Sequence, residues 1–165
     1  MRKFLHLKKR GFTLIEIIVV IVITSILFPM MMMLLGNMTA QMTKSKEITI
    51  ATDLAREMME IIGSKRFDEN IRTDPAVGSW TAVASLGPDS GETGLSTYDD
   101  KDDFNGYSDT PLPAYTRNVT VIYVAPTNYT SASGSPTDYK KITVTVTNSH
   151  IGTIRLETLA GGWGN

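Results

Sequence analysis

The chain has 165 residues, a length suited to about one domain, and its 42% hydrophobic and 20% charged residues exclude collagen, a coiled-coil rod and wholesale disorder. Of 16 Lys and Arg, five (Arg2, Lys3, Lys8, Lys9 and Arg10) lie in the first ten residues, so the other 11 face 17 Asp and Glu. A nucleic-acid partner, which would need a basic face, is not expected. Cysteine is absent and histidine occurs only at His6 and His150. That inventory excludes a disulfide framework, a zinc-thiolate site and a cysteine nucleophile, and leaves any Ser-His-Asp or multi-His site resting on His150. No enzyme is expected, although carboxylate-only hydrolysis survives the count.

Residues 12–35 form an apolar run of 24 positions with one charge, Glu16, and one helix breaker, Pro29. As a helix this run reaches about 36 Å, enough for a hydrocarbon core of about 30 Å. The basic cluster before it should stay in the cytoplasm, which makes the chain a single-pass membrane protein with an extracytoplasmic C-terminal part. An ordinary secretory signal has a shorter apolar core followed by a small-x-small cleavage site. Here the small residue at the charge-to-apolar boundary is Gly11, before the run, so processing would leave the helix on the mature chain. Glu16 is costly inside an apolar helix and is therefore read as functional, with a cationic partner expected.

The stretch Lys8-Lys9-Arg10-Gly11-Phe12-Thr13-Leu14-Ile15-Glu16 followed by an apolar run resembles the class III signal of type IV pilins and type II secretion pseudopilins. The resemblance implies that residues 1–11 are a leader, that a prepilin peptidase cuts between Gly11 and Phe12, and that the new Phe12 amine is methylated. It also implies that Glu16 pairs with that amine on a neighbouring subunit and sets the register of a filament. Pro29 removes one backbone donor and should kink or open the helix near Ser25; the resemblance implies a segment that loosens there in the filament. Met30 to Met33 cannot share one helix face and read as adaptable packing surface rather than a soft-metal box.

Beyond the membrane segment, residues 12–36, the chain turns amphipathic over 37–67. Ile48, Ala51, Leu54, Ala55, Met58, Ile61 and Ile62 recur at intervals of three and four, with charges elsewhere on the wheel. One helix is expected from 12 to about 65, roughly 80 Å long, with Gly63 as a stopping point. The part from 68 to 165 is expected to hold a loop region and a sheet. From Asp68 to Ala114 the composition reads as loop, with Trp80–Ala84 a candidate short strand and Gly87–Gly91 turn chemistry. Three strands follow at 115–124, 140–147 and 153–159. In the second of these, Ile142, Val144 and Val146 should share the buried face and Lys141, Thr143, Thr145 and Thr147 the other. The expected fold is α+β, a long N-terminal helix packed on a C-terminal antiparallel sheet of three or four strands, which is also the pilin layout.

Within the loop region Asp99, Asp100, Asp102, Asp103 and Asp109 crowd together with Lys101 as the near cation. A solvated acidic loop is the plainer reading. Calcium is the alternative, with Asp99, Asp102 and Asp103 as ligands, although Lys101 occupies the first acidic position an EF-hand would need. The sequons at Asn118 and Asn128 carry no expectation of modification.

Residues 54–60, 64–70 and 99–107 are similar to stretches of minor pilins in the MshD-like, mannose-sensitive haemagglutinin pilus group. The resemblance as a whole implies a minor pilin, a structural subunit of a cell-surface or periplasmic filament. Its partners would be other pilin subunits, the prepilin peptidase, the inner-membrane assembly platform and the membrane. A minor pseudopilin of type II secretion fits the same features. A membrane-anchored binding or carboxylate-hydrolase domain is the reading of another class.

Overall fold

The computed structural model describes residues 11, 13–70 and 80–162. The leader residues 1–10, Phe12 and the segment 71–79 lie outside them. Among the described residues the regular structure comprises one long helix, α1 (Leu14–Gly63), a 3-10 turn, and five strands, β1 (Ser108–Leu112), β2 (Tyr115–Ala125), β3 (Asn128–Ala132), β4 (Tyr139–Asn148) and β5 (Gly152–Gly161). The fold is α+β with an antiparallel sheet. The chain divides into two compact units at Thr43 and Lys44.

In the first unit every described residue is exposed. Its helix carries a run of Ile, Val, Leu and Met side chains with nothing packed over them, among them Ile15, Val20, Ile26, Phe28 and Met33. Such a surface is stable only in an apolar surrounding, and a helix suits that surrounding because its backbone groups bond internally. The hydroxyls of Thr24 and Ser25 follow the same rule, donating to the carbonyls of Val20 and Val22 at 2.8 Å each. The helix runs on through Pro29. The opening expected there is thus not a break in the helix of the single chain.

In the second unit, from Lys44, the helix is amphipathic in fact as well as in pattern. Ala51, Ala55, Met58 and Ile62 are fully buried, spaced at four, three and four so that they form one stripe. They pack with Val119 and Val121 of β2, Ile142, Val144 and Val146 of β4, and Tyr98, Phe104 and Tyr115. Each of the larger aliphatic side chains contributes about 1.5–3 kcal/mol by leaving water. Ile48, placed in the stripe by pattern, stays 38% exposed, one turn short of the core. The helix ends at Gly63 by tightening: the Ser64 amide donates to Glu60 and Ile61, and its hydroxyl donates to Ile61.

The sheet order is β1-β2-β4-β5, with β3 paired to the end of β2. β2, β4 and β5 lie close to the expected bounds, and β4 alternates as expected. β1 and β3 are additional. β1 lies in the segment read as loop, where Ser-Asp-Thr-Pro-Leu shows little strand character; its turn to β2 is made by Pro113 and Ala114, the latter left-handed at φ 69°. The segment read as a strand at 80–84 instead lacks regular structure at Trp80–Ala82, with Ala82 extended, and then makes a 3-10 turn at Val83–Ser85. Trp80 is nevertheless buried, edge-on to Phe67 at 4.8 Å in a second cluster with Tyr123. The chain leaving β5 passes so close that a Cβ on Gly162 would stand 2.7 Å from the Trp80 ring.

Arg117 occupies an inward position of β2, at 4% exposure. Its guanidinium donates to both Asp109 oxygens of β1, at 3.0 and 2.7 Å, and to the Leu54 carbonyl and Glu57 of α1 at 3.0 and 3.2 Å. One planar fork thereby ties helix, β1 and β2 together.

Candidate functional site

Two places hold the residues singled out from sequence. The first is the start of α1. Gly11 is exposed and outside regular structure, and nothing stands within 4 Å of where a Cβ would be. Phe12, the residue whose amine cleavage would free, lies outside the described residues. The Thr13 carbonyl accepts from the amides of Glu16 and Ile17, which opens the helix and puts Glu16 in its first turn. There a carboxylate meets the positive end of the helix dipole. Glu16 is flanked by Ile17, Val20 and Ile21 on an exposed apolar surface.

The second place is the acidic loop, in which Asp99 is exposed but Asp100, Asp102 and Asp103 are 1%, 2% and 3% exposed. Their partners are amides of the loop itself, the Glu69 amide and Lys140, while the Lys101 ammonium turns to the Lys65 carbonyl. Residues 64–70, just after α1, run beside the loop through a bridge between Arg66 and Asp100. The two segments and β4 enclose a buried group of carboxylates from Asp68, Glu69, Asp100 and Asp102, with one oxygen of each within 4.8 Å of the others. Into it β4 sends Lys140, which has no exposed surface. Its Nζ donates to the Phe67 carbonyl at 2.7 Å, to Asp68 Oδ2 at 3.0 Å and to Asp102 Oδ1 at 2.5 Å.

Backbone and hydroxyl donors complete the site. Asp68 accepts from the amides of Asn70 and Thr81 at 3.0 Å each and from the Tyr123 hydroxyl at 3.1 Å. Burial works to raise the Asp68 pKa, but Lys140 and these donors outweigh it and hold the carboxyl below the usual range. Among the described residues no ion pair holds Asp100, and Lys140 donates instead to Asp68 and Asp102. Asp100 accepts from the Glu69 and Asp102 amides at 2.6 and 2.8 Å, and burial together with the Glu69 and Asp102 carboxyls pushes its pKa up to about 9. Asp102 is also raised, chiefly by burial, against the pull of Asp100 and Lys140. The group therefore carries a proton at neutral pH, centred on Asp100.

Of the three loop residues considered as calcium ligands, the structure brings together only Asp99 and Asp103, with Glu92 as their third carboxylate. Asp102 faces Lys140 instead. Asp99 pairs with Arg66 at 2.5 Å, and Asp103 Oδ2 accepts from the amides of Asp99 and Asp100 at 2.9 Å each. Lys140 escaped the sequence reading, although its signal was present: it has the same parity as Ile142, Val144 and Val146 and so belongs to the buried face. Asp68, immediately past the amphipathic stretch, gave no comparable signal.

Comparison with known proteins bears on the first place. Residues 6–28 match the model of the prokaryotic N-terminal methylation motif. This is a type IV pilin class III signal. It spans Gly11, Phe12 and Glu16 and supports processing of the chain as a pilin-like substrate of prepilin peptidase. The apolar helix that follows is consistent with the membrane anchor of such a chain; α1 is long and apolar enough to cross a membrane. No curated protein and no solved structure matches the chain.

Proposed function

We propose that the chain is a minor pilin, a structural subunit that enters a type IV pilus-like filament through α1 after its leader is removed. The observation that carries the reading is Glu16, the one charge in the exposed, largely apolar stretch of α1 up to Thr43, in its first turn and four residues after the residue whose amine cleavage would free. A plain anchor gains nothing from a carboxylate there, because the group must be desolvated to enter the membrane. A subunit stacked against copies of the same helix gives it a partner, the methylated Phe12 amine of a neighbour. The similarity of 54–60, 64–70 and 99–107 to minor pilins of the mannose-sensitive haemagglutinin group supports a minor pilin over a pseudopilin of type II secretion.

A structural rather than enzymatic role is supported by the carboxylates themselves. Glycoside hydrolysis needs two carboxyls about 5–9.5 Å apart flanking an open cleft. Asp68, Asp100 and Asp102 are instead closed off from solvent and packed around Lys140.

Shearing filaments from the cell surface and probing them for this chain tests the reading. The chain should co-purify at a small fraction of the major subunit, and only in cells with an active prepilin peptidase. Retention of the whole pool in the cell envelope, with surface filaments free of it, would overturn the minor-pilin reading in favour of the secretion pseudopilin.

A further inference from the structure

The Lys140 site is oddly built for a purely structural ion pair. Burying an ammonium and its carboxylates costs several kcal/mol per ion, and an apolar replacement is often as stable. A Leu or Met at 140 would simply continue the face of Ile142, Val144 and Val146. Instead β4 delivers a primary amine, shielded from water by the rings of Phe67 and Tyr123 at 4.5 and 5.2 Å. The amine abuts the carboxyl of Asp102, whose backbone is fixed by Asp100. Amine and carboxyl are thus held in reacting distance on rigid supports, where effective molarities of about 10⁵–10⁸ M are attainable. The exclusion of water favours neutral products over a separated ion pair.

We propose that Lys140 Nζ and Asp102 Cγ condense into an intramolecular isopeptide bond, joining β4 covalently to the loop that follows Tyr98. The atoms balance without any co-reactant. Asp68 takes a proton from the Lys140 ammonium while Asp100 gives its own to the Asp102 carboxylate. The freed nitrogen lone pair attacks Cγ, forming the C–N bond, and the nitrogen passes a second proton to Asp100. The tetrahedral centre collapses by breaking a C–O bond, and the proton held on Asp68 leaves with the hydroxyl as water. Asp68 ends as a carboxylate and Asp100 as an acid, as they began. Their environments suit these roles: Lys140 and the Thr81 and Asn70 amides favour ionised Asp68, and burial keeps Asp100 protonated. The bond replaces a buried ion pair by an amide and closes a loop through residues 102–140, which restricts the unfolded chain as a disulfide would.

The test is peptide mapping of the full chain, extracted from membranes, denatured and digested with chymotrypsin. Cleavage after Tyr98, Phe104 and Tyr139 puts Asp102 and Lys140 in peptides that are not adjacent in sequence. The expected result is peptide 99–104 joined to the peptide beginning at Lys140, lighter by one water than the two apart, with fragments that place the junction on these side chains. Asp100→Asn, which keeps an acceptor for the backbone amides, should slow the accumulation of the joined peptide at least tenfold in freshly synthesised protein. Recovery of the two peptides only as separate species from the wild-type chain would overturn the proposal. Undiminished joining in Asp100→Asn would overturn the role given to Asp100.

Discussion

Asp100 and Asp68 sit in one buried group and shift in opposite directions, because Lys140 donates directly to Asp68 and not to Asp100. Burial and two neighbouring carboxyls raise Asp100 from 3.8 to about 9. Between those values the folded chain keeps a proton that the unfolded chain has released, so stability falls as pH rises through the window. In freshly synthesised chain, where Lys140 is still an ammonium, Asp68 is held low by it and contributes stability that is present above its ordinary value and lost as pH falls below it. The melting temperature should therefore peak in mildly acidic solution and decline towards pH 9. Asp100→Asn should flatten the alkaline decline and leave the acid limb in place, as read by circular dichroism across the pH range. An equal alkaline decline in the variant would contradict the assignment. Little of this was legible in the sequence. Five nearby aspartates look like a solvated loop until Lys140, Arg66 and Arg117 arrive from elements remote in the chain, and such pairings follow from topology rather than local pattern.

The elements were more legible than the side-chain networks, since periodicity records which face is buried. The stripe from Ala51 to Ile62 and the alternation in β4 each have a physical period that survives folding unchanged. β1 and β3 were not legible: both are five residues long, and both are rich in polar residues and turn formers. They exist because β2 offers them hydrogen-bonding edges. The apolar half of α1 poses a question at this same scale, because its surface is uncovered and interrupted by a single carboxylate. Glu16→Leu removes a desolvation cost, so insertion and cleavage should persist. Loss of the pairing with a neighbour's Phe12 amine should cut the amount of chain in sheared filaments by at least about tenfold, the equivalent of roughly 1.4 kcal/mol. Incorporation equal to wild type would refute the register role.

At the scale of the whole molecule, two kinds of surface are joined in one chain. The described residues up to Thr43 are exposed and apolar, and those from Lys44 form a conventional buried core. This division explains why the leader could be read from a few residues while the partners of the globular part could not. A processing signal is a linear motif recognised before assembly; partner choice lies in surfaces built by folding. The proposed function requires that the leader be removed and that α1 become the assembly element of the mature subunit. Mass spectrometry of the N-terminal peptide, on chain isolated from membranes of cells with and without prepilin peptidase, reads this out. The expected result is a methylated Phe12 as the first residue when the peptidase is present, and an intact leader when it is absent or when Gly11 is replaced by Leu. A leader retained on the wild-type chain in peptidase-positive cells, or cleavage unaffected by Gly11→Leu, would contradict it.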